Sequence, residues 1–280
     1  MDLRYGANQL DARKYDTEKL RKEFLIEKLF AADDVLSTYS HVDRIIVMGA
    51  MPVSRAISLE EKIECRKNLG VDYFLERREL GIINLGGSGR VIVDKEEYKL
   101  EKLNGLYIGK DCRDIKFQSD NPANPAKFYM CSSPAHKKYE TKLITLEIAN
   151  KVELGDFATS NKRILYQLIH PDVLQTCQLS MGCTVLDTGC VWNTMPCHTH
   201  ERRMEVYMYF NLAEDNVVFH FMGEPQQIRT IVVQNEQAII SPSWSIHCGC
   251  GTGNYAFIWA MAGENRTFTD MDNIKISDLR

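Results

Sequence analysis

Short, largely apolar runs punctuated by turn residues recur along most of this chain, which predicts strands rather than amphipathic helices. One early stretch departs from that rhythm. Asp16-Thr17 offers a capped helix start, and Leu20, Phe24 and Leu29 recur at near-helical spacing up to Ala31-Ala32-Asp33-Asp34. Beyond it, short β-type runs are predicted at 44–48, 81–85, 90–93, 106–108 and 127–131. The rhythm repeats at 179–186, 205–210, 217–222, 228–233, 237–240 and 255–261. Evenly spaced short strands broken by turn residues predict a mainly β fold of the sandwich or barrel kind. Each half closes on an aromatic strand, Lys127-Phe128-Tyr129-Met130 and Tyr255-Ala256-Phe257-Ile258-Trp259, as a degenerate duplication would. The polar stretch Val152-Glu153-Leu154-Gly155-Asp156 marks the junction. The expected domains are therefore 1–150, including the N-terminal helix, and 151–280.

Gly86-Gly87-Ser88-Gly89 lacks the Lys-Ser/Thr of a phosphate loop and leads into a strand, so it reads as a hairpin turn. The run Glu76-Arg77-Arg78-Glu79 reads as a solvated face or an interface.

With 280 residues, 44% of them hydrophobic and 26% charged, the chain has the size and composition of a soluble protein of two ordinary cores. Its longest apolar stretch, 255–262, falls far short of the roughly 20 residues that cross a bilayer, so no membrane partner is expected. Residues 1–15 hold no apolar signal core, which predicts a cytoplasmic protein. A net charge of -4 without a basic block argues against nucleic acid. Nine cysteines, an odd number with no Cys-x-x-Cys pair, do not suggest a disulfide framework. Cys197 and Cys248 have the strand parity of packing residues.

The chemistry concentrates in His198-Thr199-His200-Glu201-Arg202-Arg203-Met204-Glu205 and, about forty residues later, Ser245-Ile246-His247. In a strand, His198 and His200 share a face. Glu205 has the opposite parity, so the chain must turn between Glu201 and Arg203 to aim it back at the histidines. Three imidazoles and one carboxylate suit Zn²⁺ and also tolerate Fe²⁺, Mn²⁺, Co²⁺ and Ni²⁺. The first half has no His-x-His, so only the second is expected to carry metal. His41, His136, His170 and His220 lack such company and read as surface or packed residues.

A His-x-His-x₄-Glu motif with a later histidine on a β fold resembles the cupin superfamily. The wording of residues 193–207, 240–247 and 73–81, together with Gly263-Glu264-Asn265 and the tail Asp278-Leu279-Arg280, resembles the 5-keto-4-deoxyuronate isomerase family over the whole chain. The resemblance implies two cupin-like barrels, an aldose-ketose isomerase of uronate breakdown, one zinc ion per subunit on His198, His200, Glu205 and His247, and a homohexamer. The substrate it implies is 5-dehydro-4-deoxy-D-glucuronate, converted to 3-deoxy-D-glycero-2,5-hexodiulosonate. Four further residues are candidates for catalysis. Arg202 and Arg203, in the ligand turn, offer guanidinium forks to a carboxylate or make salt bridges. Tyr207 and Tyr209 share the parity of Glu205 and either donate to substrate oxygens or pack. An Fe²⁺ dioxygenase and a non-catalytic sugar-acid binder are the competing functions for such a site.

Overall fold

In the computed structural model, which describes residues 1–264 and 267–280, strands dominate and fall into two units. Asn265, part of the wording behind the family resemblance, lies outside the described residues.

The first unit comprises Met1–Leu3, Lys28–Asn150 and Leu168–Ser180. Its seven-stranded sheet runs, edge to edge, Asp2–Arg4, Val35–Ser40, Ile46–Ala50, Phe128–Pro134, Arg78–Asn84, Gly105–Ile108 and Lys142–Ile144. A four-stranded sheet follows the order Ile57–Ser58, Ile115–Ser119, Gly89–Val93, Glu96–Leu100. Alternate positions such as Leu80, Ile82, Val91, Phe117, Phe128 and Met130 form the buried core of this unit, so its interior is filled with aliphatic and aromatic side chains.

The second unit comprises Arg4–Glu27, Lys151–Gln167 and Met181–Arg280. Its sheets repeat the pattern: Asn150–Leu154, Arg163–Ile169, Ser180–Leu186, Ala256–Gly263, Arg203–Phe210, Gln237–Ser241 and Leu25–Ile26 in one, and Trp192–Asn193, Cys248–Gly251, Val218–Met222, Arg229–Val233 in the other. Position for position, the Arg203–Phe210 strand occupies the place of Arg78–Asn84. Leu80, Ile82 and Asn84 thus stand where the second unit has Glu205, Tyr207 and Tyr209.

Three expectations need correction. The N-terminal helix, Thr17–Phe24, capped by Asp16, belongs to the second unit rather than to a domain 1–150. Leu20 and Phe24 pack in the cluster containing Leu186, Tyr207 and Phe257, and the chain leaves the helix at Leu25 to pair Leu25–Ile26 with Ile239 and Ala238; the helical spacing of Leu29 is therefore coincidental. Residues 86–89 do not make a hairpin, because Arg78–Asn84 and Gly89–Val93 lie in different sheets. These glycines are needed for close approach: a Cβ on Gly87 would lie 2.1 Å from the Asn124 carbonyl oxygen. The tight hairpin comes next, at Asp94-Lys95, both with positive φ. Finally, Arg78 and Glu79 are buried, not solvated. The Glu79 carboxylate accepts from Tyr107 Oη (2.7 Å), Ser133 Oγ (3.0 Å) and the backbone N–H groups of Cys177 (2.8 Å), Gln178 (2.8 Å) and Leu179 (2.9 Å). That ring of donors ties Leu168–Ser180 to the first unit.

Candidate metal centre

The second unit places a polar cluster inside an otherwise apolar interior. His198 opens the short strand His198–Thr199, which pairs with Asp272–Asn273; the chain turns at Glu201-Arg202 and re-enters the sheet at Arg203. That turn brings Glu205 to the histidines. Four donor atoms, one each from His198, His200, Glu205 and His247, lie within 4.8 Å of one another, and all four side chains are buried. His198 Nε2 is 3.1 Å from both His200 Nε2 and His247 Nε2, and Glu205 Oε2 is 3.2 Å from His200 Nε2 and 2.9 Å from His247 Nε2.

Those contacts need a cation to make sense. His200 Nδ1 faces the Asp270 carbonyl oxygen at 3.1 Å and His247 Nδ1 faces that of Ser245 at 3.3 Å. A carbonyl oxygen only accepts, so in each neutral ring the proton sits on Nδ1 and Nε2 presents a bare lone pair to the cluster. Lone pairs crowded at hydrogen-bond distance repel unless a positive charge lies among them. Nitrogen and oxygen donors each about 2.1 Å from one divalent ion would stand roughly 3–3.5 Å apart, close to the four separations of 2.9–3.2 Å given above. Burial, the largest cause, lowers the His198 pKa to about 2, so its ring stays neutral. Burial alone would raise the Glu205 pKa, but the adjacent His247 and His200 reverse the sign and keep it ionised.

The cluster opens into a cavity of about 270 Å³, lined on its apolar sides by Leu165, Phe257, Met261 and Phe268 among others. Tyr207 lines it, its hydroxyl 2.8 Å from Thr194 Oγ1 and its ring centroid 5.4 Å from that of His247. Burial raises its pKa well above the ordinary phenol value and leaves it protonated. Tyr209 lies outside the lining, with its hydroxyl 2.7 Å from His220 Nδ1. His220, read from sequence as an isolated histidine, is thus a fully buried support behind the site.

Neither ligand-turn arginine extends into the cavity as a free fork. Arg202 is 58% exposed and pairs with Asp270. Arg203 lines the cavity but donates to the carbonyls of Thr267 (2.8 Å), Phe268 (2.9 Å) and Asp270 (3.1 Å). Together they fasten the 267–271 segment, whose Phe268 and Met271 form one wall. Sequence reasoning missed Arg163, which also lines the cavity. The available signal was parity: Arg163 and Leu165 alternate on one face of their strand. Cys197 and Cys248 pack with Ile246 in a small apolar cluster, as their parity implied.

Residues 30–276 match the KduI/IolB family. The chain belongs to that family. Its family relatives include the 4-deoxy-L-threo-5-hexosulose-uronate ketol-isomerases of Yersinia pseudotuberculosis serotype O:1b (strain IP 31758) and Yersinia pestis bv. Antiqua (strain Antiqua), each 57% identical over 280 residues, 100% of both chains. Among solved structures, an IolB-like protein from Salmonella typhimurium LT2 superposes with a TM-score of 0.67 at 13% identity, covering 87% of this chain and 94% of that one. An oxalate decarboxylase superposes with a TM-score of 0.58 at 9% identity, covering 87% and 78%. At such identities these likenesses show the KduI/IolB member's fold alone. No helix among the described residues is long and apolar enough to cross a membrane.

Proposed function

We infer that this chain is a ketol-isomerase that converts 4-deoxy-L-threo-5-hexosulose-uronate, an open-chain aldehyde, into the corresponding 2-ketose in uronate breakdown. The observation that carries the reading is 57% identity along the entire length of relatives bearing that name. We further assign one Zn²⁺ per subunit to His198, His200, Glu205 and His247. We also propose two cupin-like barrels, of which only the second holds metal, and a cytoplasmic homohexamer.

A divalent cation held there would polarise the substrate carbonyl and stabilise the negative charge that develops when the neighbouring C–H is broken. The rest falls to the chain's own side chains. Isomerisation removes the C2 proton, returns a proton to C1 and shifts a hydroxyl proton between the two oxygens. Among the described titratable side chains lining the cavity, Tyr207 is the one that is neither in the donor cluster nor an arginine, so its protonated hydroxyl is assigned to the proton that shifts between the two substrate oxygens, with Thr194 orienting it. Tyr209 and His220 support it from behind, and the apolar wall excludes water that would trap a charged enediol intermediate.

Turnover of the purified protein followed by NMR in D₂O tests both the activity and the route. Deuterium at the new C1 methylene supports the enediol; complete retention of a C2 label, transferred intact, would establish a hydride shift instead. Absence of turnover, or consumption of O₂ with it, would refute the isomerase reading.

A further inference from the structure

We propose that Arg163 is the carboxylate anchor of this cavity: it binds the 2-oxo acid end of the substrate and so determines which end of the molecule reaches the donor cluster. The proposal rests on the ketol-isomerase reading, which supplies the ligand's chemistry.

Among the described residues two guanidinium groups line the cavity, and the structure distinguishes them. Arg203 uses Nη1 and Nη2 on three backbone carbonyls of the 267–271 segment. Arg163 donates from Nη1 to the Asn161 carbonyl at 2.8 Å, and among the described residues no Asp or Glu carboxylate pairs with it. It projects from the Arg163–Ile169 strand beside Leu165, in a lining that also includes Phe257 and Phe268. A cation in such a wall carries a desolvation cost: burial lowers the Arg163 pKa, and only the Tyr207 and Tyr255 phenols oppose the shift. An anion arriving in the cavity removes that cost, so the site discriminates for ligands that bring one.

The substrate named above is such a ligand. Its six-carbon chain carries the aldehyde at C1 and a hydroxyl at C2, and at the far end a C5 ketone next to the C6 carboxylate. A conjugated 2-oxo carboxylate is flat, which suits the planar, two-pronged guanidinium better than the point charge of an ammonium. Tyr207 lines the same cavity as Arg163 and the donor cluster. Its ring meets that of His247 edge-on, with centroids 5.4 Å apart. With the acid held at Arg163, the C1–C2 pair is directed past Tyr207 toward the donor cluster; the reversed orientation would leave the guanidinium unpaired and set a carboxylate against Glu205.

The test uses the full-length, metal-loaded protein and the variants Arg163→Met and Arg163→Lys, with metal content and circular dichroism measured alongside kinetics. Arg163→Met should lower kcat/KM for the uronate about 100-fold, mainly through KM, while metal content and fold are unchanged. Arg163→Lys should recover only part of the loss. Pyruvate, a short 2-oxo acid, should compete with substrate in the parent protein and not in Arg163→Met. A variant-free comparison guards against misfolding: the C6 methyl ester should be turned over about 100-fold less well than the acid by the parent protein. Equal turnover of ester and acid, a kcat/KM for Arg163→Met within about threefold of the parent, or pyruvate competition that survives the substitution would each overturn the anchor. If the parent does not isomerise the uronate, the functional reading fails separately, and calorimetric titration with pyruvate still decides the anchor: binding lost in Arg163→Met upholds it, and equal binding to both defeats it.

Discussion

Replacing Glu79 by Gln changes one atom and should cost the first unit about 2–5 kcal/mol. The carboxylate is completely buried and accepts five hydrogen bonds, three of them from backbone N–H groups that cannot reverse direction. The amide of Gln has one acceptor oxygen, so its NH₂ must face either Cys177 N–H with Tyr107 Oη, or the N–H groups of Gln178 and Leu179 with Ser133 Oγ. The first arrangement is the better one, since the phenol can turn to accept, yet it strands the Cys177 N–H against a second donor. A buried donor left unmade costs about 1–3 kcal/mol, and the remaining bonds weaken from charged to neutral strength, a further 1–2 kcal/mol in sum. In a unit of this size that lowers the melting temperature by roughly 10 °C. Differential scanning calorimetry of Glu79→Gln beside a surface control, Glu97→Gln, reads the effect directly. A shift of under about 2 °C would refute the reasoning, because it would mean that the five contacts are worth no more than exposed ones.

His247→Ala should abolish stoichiometric metal binding, measured by plasma emission spectrometry, while leaving the circular dichroism spectrum of the fold in place. Tyr207→Phe should cut kcat by about 100-fold with metal content unchanged, whereas Tyr209→Phe, which alters only the support behind it, should cost less; equal losses would count against the assignment of proton transfer to Tyr207. Gly182→Ala should destabilise the second unit by about 1–3 kcal/mol in urea unfolding, because the added Cβ falls 2.1 Å from Trp259 Cζ2 with the Tyr166 carbonyl 2.4 Å away. Burial lowers the His220 pKa to about 3. Below the ordinary histidine value near 6.5 the unfolded chain takes up a proton that the folded chain refuses, so stability should fall with pH by up to about 1.4 kcal/mol per unit down to about pH 3. Replacing His220 by Asn should flatten that slope, as followed by urea unfolding across the range.

The strand rhythm was legible because short apolar runs bounded by turn residues report buried strands locally, and the strand runs read from sequence lie within about three residues of those in the structure. The donor cluster was legible for a similar reason: His198, His200 and Glu205 sit within eight positions, so parity and one turn fix their geometry. What escaped was whatever depends on a distant partner. Nothing around Glu79 announces Cys177–Leu179, so a run of charge looked like surface. Nothing around Leu25 announces Ile239, so the N-terminal helix was assigned to the nearer half. Arg163 and His220 are single residues on ordinary strands, marked as special only by the cavity and the buried phenol they turn out to face. The ligand-turn arginines drew attention by proximity, but their nitrogens are committed to Asp270 and the carbonyls of the 267–271 wall.

The pairing of Leu25–Ile26 with Ala238–Ile239 has a consequence for how the protein is made. A ribosome delivers the edge strand of the second sheet among its earliest residues and the strand it docks on more than two hundred residues later. Until then Leu20, Phe24, Leu25 and Ile26 emerge with their apolar partners not yet synthesised, while residues 28–150 already contain nearly all of the first unit's strands. The first unit can therefore condense early in synthesis, whereas the second waits until the strand at 237–241 has been made. Ion capture is later still, since the carbonyl that fixes the tautomer of His200 belongs to Asp270, which is made after all four donors. A chain stalled before that point would hold all four donor side chains without the acceptor that orients His200, so the donor set is complete before the site is.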